Sequence, residues 1–167
     1  MQENSTRRSN TERTRATRAG LLSAARQLFV AKGYAETGTP EIVAAAKVTR
    51  GALYHHFADK QALFRAVVEQ ESAAVAGEIE QAAPASMPPL EALIAGGAAF
   101  IRAMRVDGRT RLLLLDGPAV LGRAELDRID LEMGGLGSLR DGLAAAMRAG
   151  ALPAVPLGAL AALLSAA

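Results

Sequence analysis

"KVTRGALYHHFADK", residues 47–60, holds both histidines and two of the six aromatic side chains of a 167-residue chain. Thr49 is placed to cap a short helix, "RGALYHHF" (50–57), in which Leu53 and Phe57 stand four apart and so share a face. Just upstream, "TPEIVAAAK" (39–47) predicts a second short helix, with Thr39 as hydroxyl cap, Pro40 at the first helical position and Glu41 in the first turn. Two short helices joined at "AKVT" (46–49) and braced by a longer preceding helix have the layout of a helix-turn-helix. Ile42, Ala46, Val48, Leu53 and Phe57 supply its shared core.

The brace is legible in the same way. Leu21, Leu22, Ala25, Leu28 and Phe29 recur at the helical period, and Gly33 after Lys32 is a stop signal, so a helix is expected over about 11–32. A further start at Asp59 leads into "KQALFRAVVEQESAAVAGEIEQ" (60–81), with Leu63, Phe64, Val67 and Val68 on the inner side. Pro84 and Pro88-Pro89 break the chain before "LEALIAGGAAFIRAMR" (90–105), and Asp107-Gly108 is a turn signal. "RTRLLLL" (109–115) follows and is expected to stop at "DGP" (116–118). One long helix is expected over about 124–148, and a last one after Pro156. No segment alternates with period two, which makes the chain all-α: a flexible basic tail (1–10), a helix-turn-helix domain (11–65) and a helical ligand-binding and dimerisation domain (66–167).

Charge separates these parts. Residues 1–65 hold 11 Lys/Arg against 5 Asp/Glu, whereas residues 66–167 hold 8 against 12. A basic N-terminal module points to a polyanionic partner, nucleic acid before membrane. The absence of cysteine removes disulfides, thiolate nucleophiles and Cys-type zinc sites. No apolar run approaches the roughly 20 residues of a membrane span, and the N-terminus lacks the apolar stretch of a secretory signal. A cytoplasmic protein is expected.

In a helix-turn-helix the second helix presents its N-terminal end to the major groove, and here that end carries Thr49, Arg50, Gly51, Tyr54, His55 and His56. Arg50 can donate two hydrogen bonds to the O6/N7 edge of guanine. Gly51 adds no side chain and lets the backbone come near DNA. Thr49, Tyr54, His56 and Lys60 offer groups to phosphate oxygens, as do Thr39 and the amides at the start of its helix. For Tyr54 and His56 a second reading stands beside this one, packing with Phe57 against the first helix. A metal site at the histidine pair is the poorer reading, because adjacent helical residues point about 100° apart and ligand pairs need spacings of three or four. No nucleophile with a base, no phosphate-binding glycine loop and no metal-ligand spacing is found, so neither an enzyme nor a cofactor is expected. The carboxylates Asp107, Asp116, Glu125, Asp127 and Asp130 read as solvated surface charge.

At these residues the chain resembles the DNA-binding domain of TetR-type (tetracycline repressor-like) transcriptional regulators. "LFVAKGY", "TPEIVAAAK" and "VTRGALYHHFADKQALFRAVVE" carry the resemblance, in register over about residues 11–70. It implies phosphate contacts from Thr39, Tyr54, His56 and Lys60, base reading by Arg50, Gly51 and His55, and Ala52 against a thymine methyl. One position departs: the turn residue that is usually glycine in the family is Lys47. If that residue is left-handed, a side chain there costs on the order of 1 kcal/mol; a phosphate contact from Lys47 would recover some of it.

The resemblance further implies a ligand-responsive regulator, most often a repressor, that binds a palindromic double-stranded operator as a homodimer and releases it on binding a small-molecule effector. Phe100 is the only aromatic after residue 65, so an aliphatic or neutral effector is expected over a flat cationic one, with Phe100, Met104, Leu114 and Met147 as candidate lining. Such proteins usually dimerise through two C-terminal helices. "VPLGALAALLSAA" (155–167) would supply most of one, and the last helix is expected to be missing, which would weaken the dimer. Two alternatives remain at this point: a DNA binder without sequence preference, and a small-molecule carrier.

Overall fold

The computed structural model describes residues 3–165, all of whose regular elements are helical. Met1, Gln2, Ala166 and Ala167, the extreme ends of the expected tail and last helix, lie outside the described residues. The chain divides into two compact units, Met1–Val68 and Glu69–Ala167.

The first unit is built from α1 (Glu3–Lys32), α2 (Thr39–Ala45), α3 (Arg50–His56) and the beginning of α4 (Lys60–Ala82). Helix α1 starts at Glu3, well before the expected residue 11, so residues 3–10 are helical where a flexible tail was expected. No proline interrupts this stretch and Gly20 is its first glycine, so nothing local stops the helix from continuing toward the N-terminus. Leu21, Leu22, Ala25 and Phe29 are buried on one stripe of α1, and Leu28 is half-buried. They meet Ile42, Leu53, Phe57, Leu63 and Phe64, all 5% exposed or less. Phe29 and Phe64 pack edge to face at 5.1 Å between centroids, and Tyr34 joins both rings, a geometry aromatic quadrupoles favour.

The loop between α1 and α2 is held by buried polar groups. Gly33, at φ 89°, takes the left-handed conformation that ends α1. The fully buried Thr37 donates its hydroxyl to the Gly33 carbonyl at 2.7 Å. From the first turn of α4, Lys60 Nζ donates to the Tyr34 and Thr37 carbonyls at 2.9 and 3.1 Å and lies 4.1 Å from the Tyr34 ring centroid. Asp59 caps α4 by accepting the Ala62 N–H at 2.7 Å, as its position in the sequence suggests.

The second unit comprises the rest of α4 with α5 (Pro89–Met104), a π-helical segment (Arg111–Asp116), α6 (Gly117–Leu121), α7 (Arg123–Met133), α8 (Gly135–Arg148) and α9 (Leu157–Ser165). "DGP" does not end the helical path after "RTRLLLL". Pro118 falls in the first turn of α6, where its missing N–H is harmless. A Cβ at Gly117 would press on the Leu112 carbonyl at 2.8 Å, a closeness only glycine permits.

The single helix expected over 124–148 is two helices, broken at Gly134. Glycine is costly inside a helix, and the run Gly134-Gly135-Leu136-Gly137 collects three of them. Asp130 accepts the N–H groups of Gly135 and Leu136 and so satisfies two amides at the start of α8. A Cβ at Gly134 would run into that carboxylate. Asp130, expected as solvated surface charge, is thus a partly buried group bonded to backbone, and its burial raises its pKa above the usual carboxylate value.

Arg109 ties α4 to the turn after α5. Glu71 and Glu78 lie seven apart on α4 and therefore on one face. The buried guanidinium donates to Glu71 at 3.0 Å, to Glu78 at 2.8 Å and to the Ala103 carbonyl at 2.8 Å. Burial works against its charge, but the hydrogen bonds and attraction from the two carboxylates outweigh that and raise its pKa.

Candidate nucleic-acid interface and ligand cavity

Thr49 stands outside α3 in extended conformation (φ −82°, ψ 157°) and accepts the Ala52 N–H at 3.2 Å. Its hydroxyl proton remains free to donate outward. Leu53 and Phe57 anchor the inner face of α3, which leaves Arg50, Gly51, Tyr54 and His55 exposed on the outer side and Ala52 half-buried. The cap of α2 differs from expectation: Gly38 is the N-cap, Thr39 is the first helical residue, and no side chain caps. Gly38 takes the extended cap conformation (φ −92°, ψ 147°), and the Thr39 side chain bonds elsewhere. Its hydroxyl and the Arg50 guanidinium hydrogen-bond the Tyr54 hydroxyl, which pulls the phenol below its ordinary pKa. Arg50 also lies 5.5 Å from the centroid of the Tyr54 ring. Three residues expected to meet DNA are therefore one connected cluster spanning α2 and α3.

His56 is half-buried beside Phe57, and desolvation, with smaller contributions from His55 and Arg18, pushes its pKa down. The ring packs beside Phe57, as one of the two readings expected, and is still partly exposed at the surface. Arg18, which the sequence did not single out, lies 5.2 Å from the Phe57 ring centroid and joins α1 to the end of α3. Lys60 is placed differently from the rest. Two of its three donors serve the loop carbonyls, a role with no local sequence signal because its partners lie 23 and 26 residues away.

The turn between α2 and α3 is left-handed at Lys47, φ 55°. The Val48 N–H reaches the Val43 carbonyl at 3.0 Å and the Lys47 N–H the Ala44 carbonyl at 3.1 Å, the paired bonds of a Schellman ending with lysine where glycine is favoured. Lys47→Gly is expected to raise stability by about 0.5 to 1 kcal/mol in urea unfolding, relief of the left-handed side chain exceeding the added unfolded-state entropy.

Within the second unit, a cavity of about 750 Å3 opens between α4, α5, the α7–α8 turn and α8. Ile79, Leu93, Phe100, Leu131 and Leu136 give it apolar walls. Gly135 lets the turn close on Phe100 and Ile79, since a Cβ there would lie 3.5 and 3.3 Å from them. Of the four lining candidates only Phe100 is in this cavity. Met104 ends α5 half-buried, Leu114 is 56% exposed on the π-helical segment, and Met147 lies late in α8. The bend at Gly134, absent from the sequence reading, decides which side chains surround the space.

Comparison with known proteins agrees with both halves. The family described as "Bacterial regulatory proteins, tetR family" matches residues 21–67, and "Tetracyclin repressor-like, C-terminal domain" matches residues 90–167. The A-factor receptor protein of Streptomyces griseus is 37% identical over 91 residues, 54% of this chain and 31% of that protein. The HTH-type transcriptional regulator AcrR of Shigella flexneri is 39% identical over 88 residues, 52% of this chain and 40% of that protein. These matches span well under half of the curated relatives' own length. Among solved structures, a TetR-family transcriptional regulator from Pectobacterium atrosepticum superposes with TM-score 0.72 at 32% identity, covering 91% of this chain and 77% of that one. A gamma-butyrolactone receptor described as ArpA-like superposes with TM-score 0.62 at 30% identity, covering 91% and 79%. With the helix-turn-helix, the helical second unit and relatives of this identity and coverage in agreement, the chain belongs to the tetR family of bacterial regulatory proteins.

Proposed function

We propose that the protein is a sequence-specific DNA-binding transcriptional regulator, acting as a repressor that a small-molecule effector releases from its operator. The observation that carries this reading is the Thr49-capped α3, which exposes Arg50, Gly51 and His55 at one end with Tyr54 and Thr39 beside them. Arg50 and His55 read base edges, Ala52 meets a thymine methyl, and Thr39, Lys47, Thr49, Tyr54 and His56 hold phosphates. Lys60 has one N–H left for a phosphate after bonding its two loop carbonyls.

The protein works as a homodimer on a palindromic site, because two half-sites read together gain from effective concentration. Leu163 and Leu164, 71% and 50% exposed on α9, give an apolar surface for that association. The effector occupies the apolar cavity of the second unit and shifts the spacing of the two reading heads away from the groove period. The regulatory character of the family and the absence of a membrane-length apolar helix among the described residues fit a non-enzymatic protein acting in the cytoplasm.

Fluorescence anisotropy on DNA from the protein's own upstream region, against a scrambled duplex, tests this. A preference of about 10³-fold is expected at physiological salt, at the lower end of specific recognition. Equal, steeply salt-dependent affinity for both duplexes would instead favour a binder without sequence preference.

A further inference from the structure

The charges on the cavity wall are all of one sign. Four carboxylates line it, Glu80 from α4, Asp130 and Glu132 from α7 and Asp141 from α8, and no Lys, Arg or His does. Glu132 is paired with Arg128 at 2.6 Å, a guanidinium it shares with Glu125. Glu80 and Asp141 are exposed and have no ion pair among the described residues. Asp130 accepts the Gly135 and Leu136 amides, and Arg123 acts on it only weakly, through space. Covering these carboxylates with a neutral or anionic molecule removes water from them without return. The four do not converge: among the described residues no group of three or more His, Asp or Glu is placed to hold a metal ion. Carboxylates spread around an apolar wall suit a diffuse organic charge carried on an apolar body.

We propose that this cavity takes an amphiphilic organic cation, with an aliphatic or small-ring body against Ile79, Leu93, Phe100 and Leu136 and an ammonium-type head in the combined field of Asp130, Glu80 and Asp141. The inference rests on the effector reading of the cavity and departs from the neutral ligand expected from composition. Discrimination comes from charge and volume, since Phe100 is the one aromatic available to this unit and a cage of rings cannot form. The same wall rejects fatty carboxylates, for which it offers no counter-ion.

Three probes of matched tail separate these terms: decyltrimethylammonium, decanol and decanoate, titrated calorimetrically into the purified protein below micelle-forming concentrations. The cation is expected to bind about ten-fold tighter than the alcohol, the scale of a partly desolvated charge pair, with decanoate weakest. In the triple variant Glu80→Gln, Asp130→Asn, Asp141→Asn, the preference of cation over alcohol should fall to within about two-fold while decanol affinity stays the same. The Asp130→Asn substitution keeps a carbonyl oxygen to accept the Gly135 and Leu136 amides, and an unchanged decanol affinity reports an intact cavity. Tighter binding of decanol or decanoate, no binding of the cation, or a cation preference that survives the triple variant each overturn the proposal. Adding the cation to the protein–DNA complex tests the other reading separately. Binding without release of DNA leaves the ligand class standing and removes the effector role.

Discussion

Arg109→Ala is expected to destabilise the second unit by about 3 to 5 kcal/mol, because it removes the guanidinium that is bonded to the buried Glu71 carboxylate. The Glu71 and Arg109 side chains are 8% and 6% exposed, so neither is well hydrated, whereas Glu78 at 41% can turn to water. The Ala103 carbonyl loses one donor in the same substitution and keeps the Val106 N–H at 3.1 Å. For a chain of this length the loss should lower the thermal midpoint by roughly 10 °C or more, read by far-ultraviolet circular dichroism. The double variant Arg109→Met, Glu71→Leu should recover most of it, since apolar replacement of a buried pair is often close to neutral. A midpoint within about 2 °C of wild type for Arg109→Ala, the scale of an exposed pair, would show that other partners or water satisfy Glu71 and that this contact does not hold α4 to the turn after α5.

The second expected result separates the fold from the reading surface. Nothing inside the protein requires glycine at position 51: it is exposed and helical, and an added Cβ would meet only the Thr49 hydroxyl at 3.9 Å. Gly51→Ala should therefore stabilise the first unit by up to about 1 kcal/mol through helix propensity. If the bare backbone serves approach to DNA, the same variant should lose about ten-fold or more in operator affinity. Stability and binding would then move in opposite directions, which simple damage to the fold cannot produce. Arg50→Ala is the companion measurement. It removes a two-donor contact with a base edge and should cost about 1 to 3 kcal/mol of discrimination, relaxing the preference between native and scrambled duplex more than it lowers affinity for the scrambled one. An unchanged preference in both variants would move base reading to other residues.

Lys47 connects these results to sequence design. Its left-handed backbone costs stability that a glycine would return, so retention of a cation there has a use if Lys47→Gly also lowers DNA affinity and reduces the salt slope by about 1. The two effects are measured on the same variant and have different origins, one in the backbone and one in a phosphate contact.

By itself the sequence determined the helical class, the helix-turn-helix and the side chains at its exposed end. Each was carried by signals acting over a few residues: the Thr49 cap, the Leu53 and Phe57 spacing, the stripe through Leu21 and Phe29, and Gly33 as a stop. Local signals suffice there because short helices packed within some 50 residues of chain leave few ways to bury those faces. Tertiary structure alone decided which polar groups are spoken for and where the ligand space lies. Lys60 became a clasp for loop carbonyls more than 20 residues away, and Arg109 found partners 31 and 38 residues earlier. The break at Gly134 turned α8 back, placed Asp130 at its start and enclosed a cavity beside Phe100 instead of Met104, Leu114 and Met147. Those outcomes depend on the three-dimensional approach of distant segments, where burial of a charge or closure of a turn is settled by what arrives opposite it.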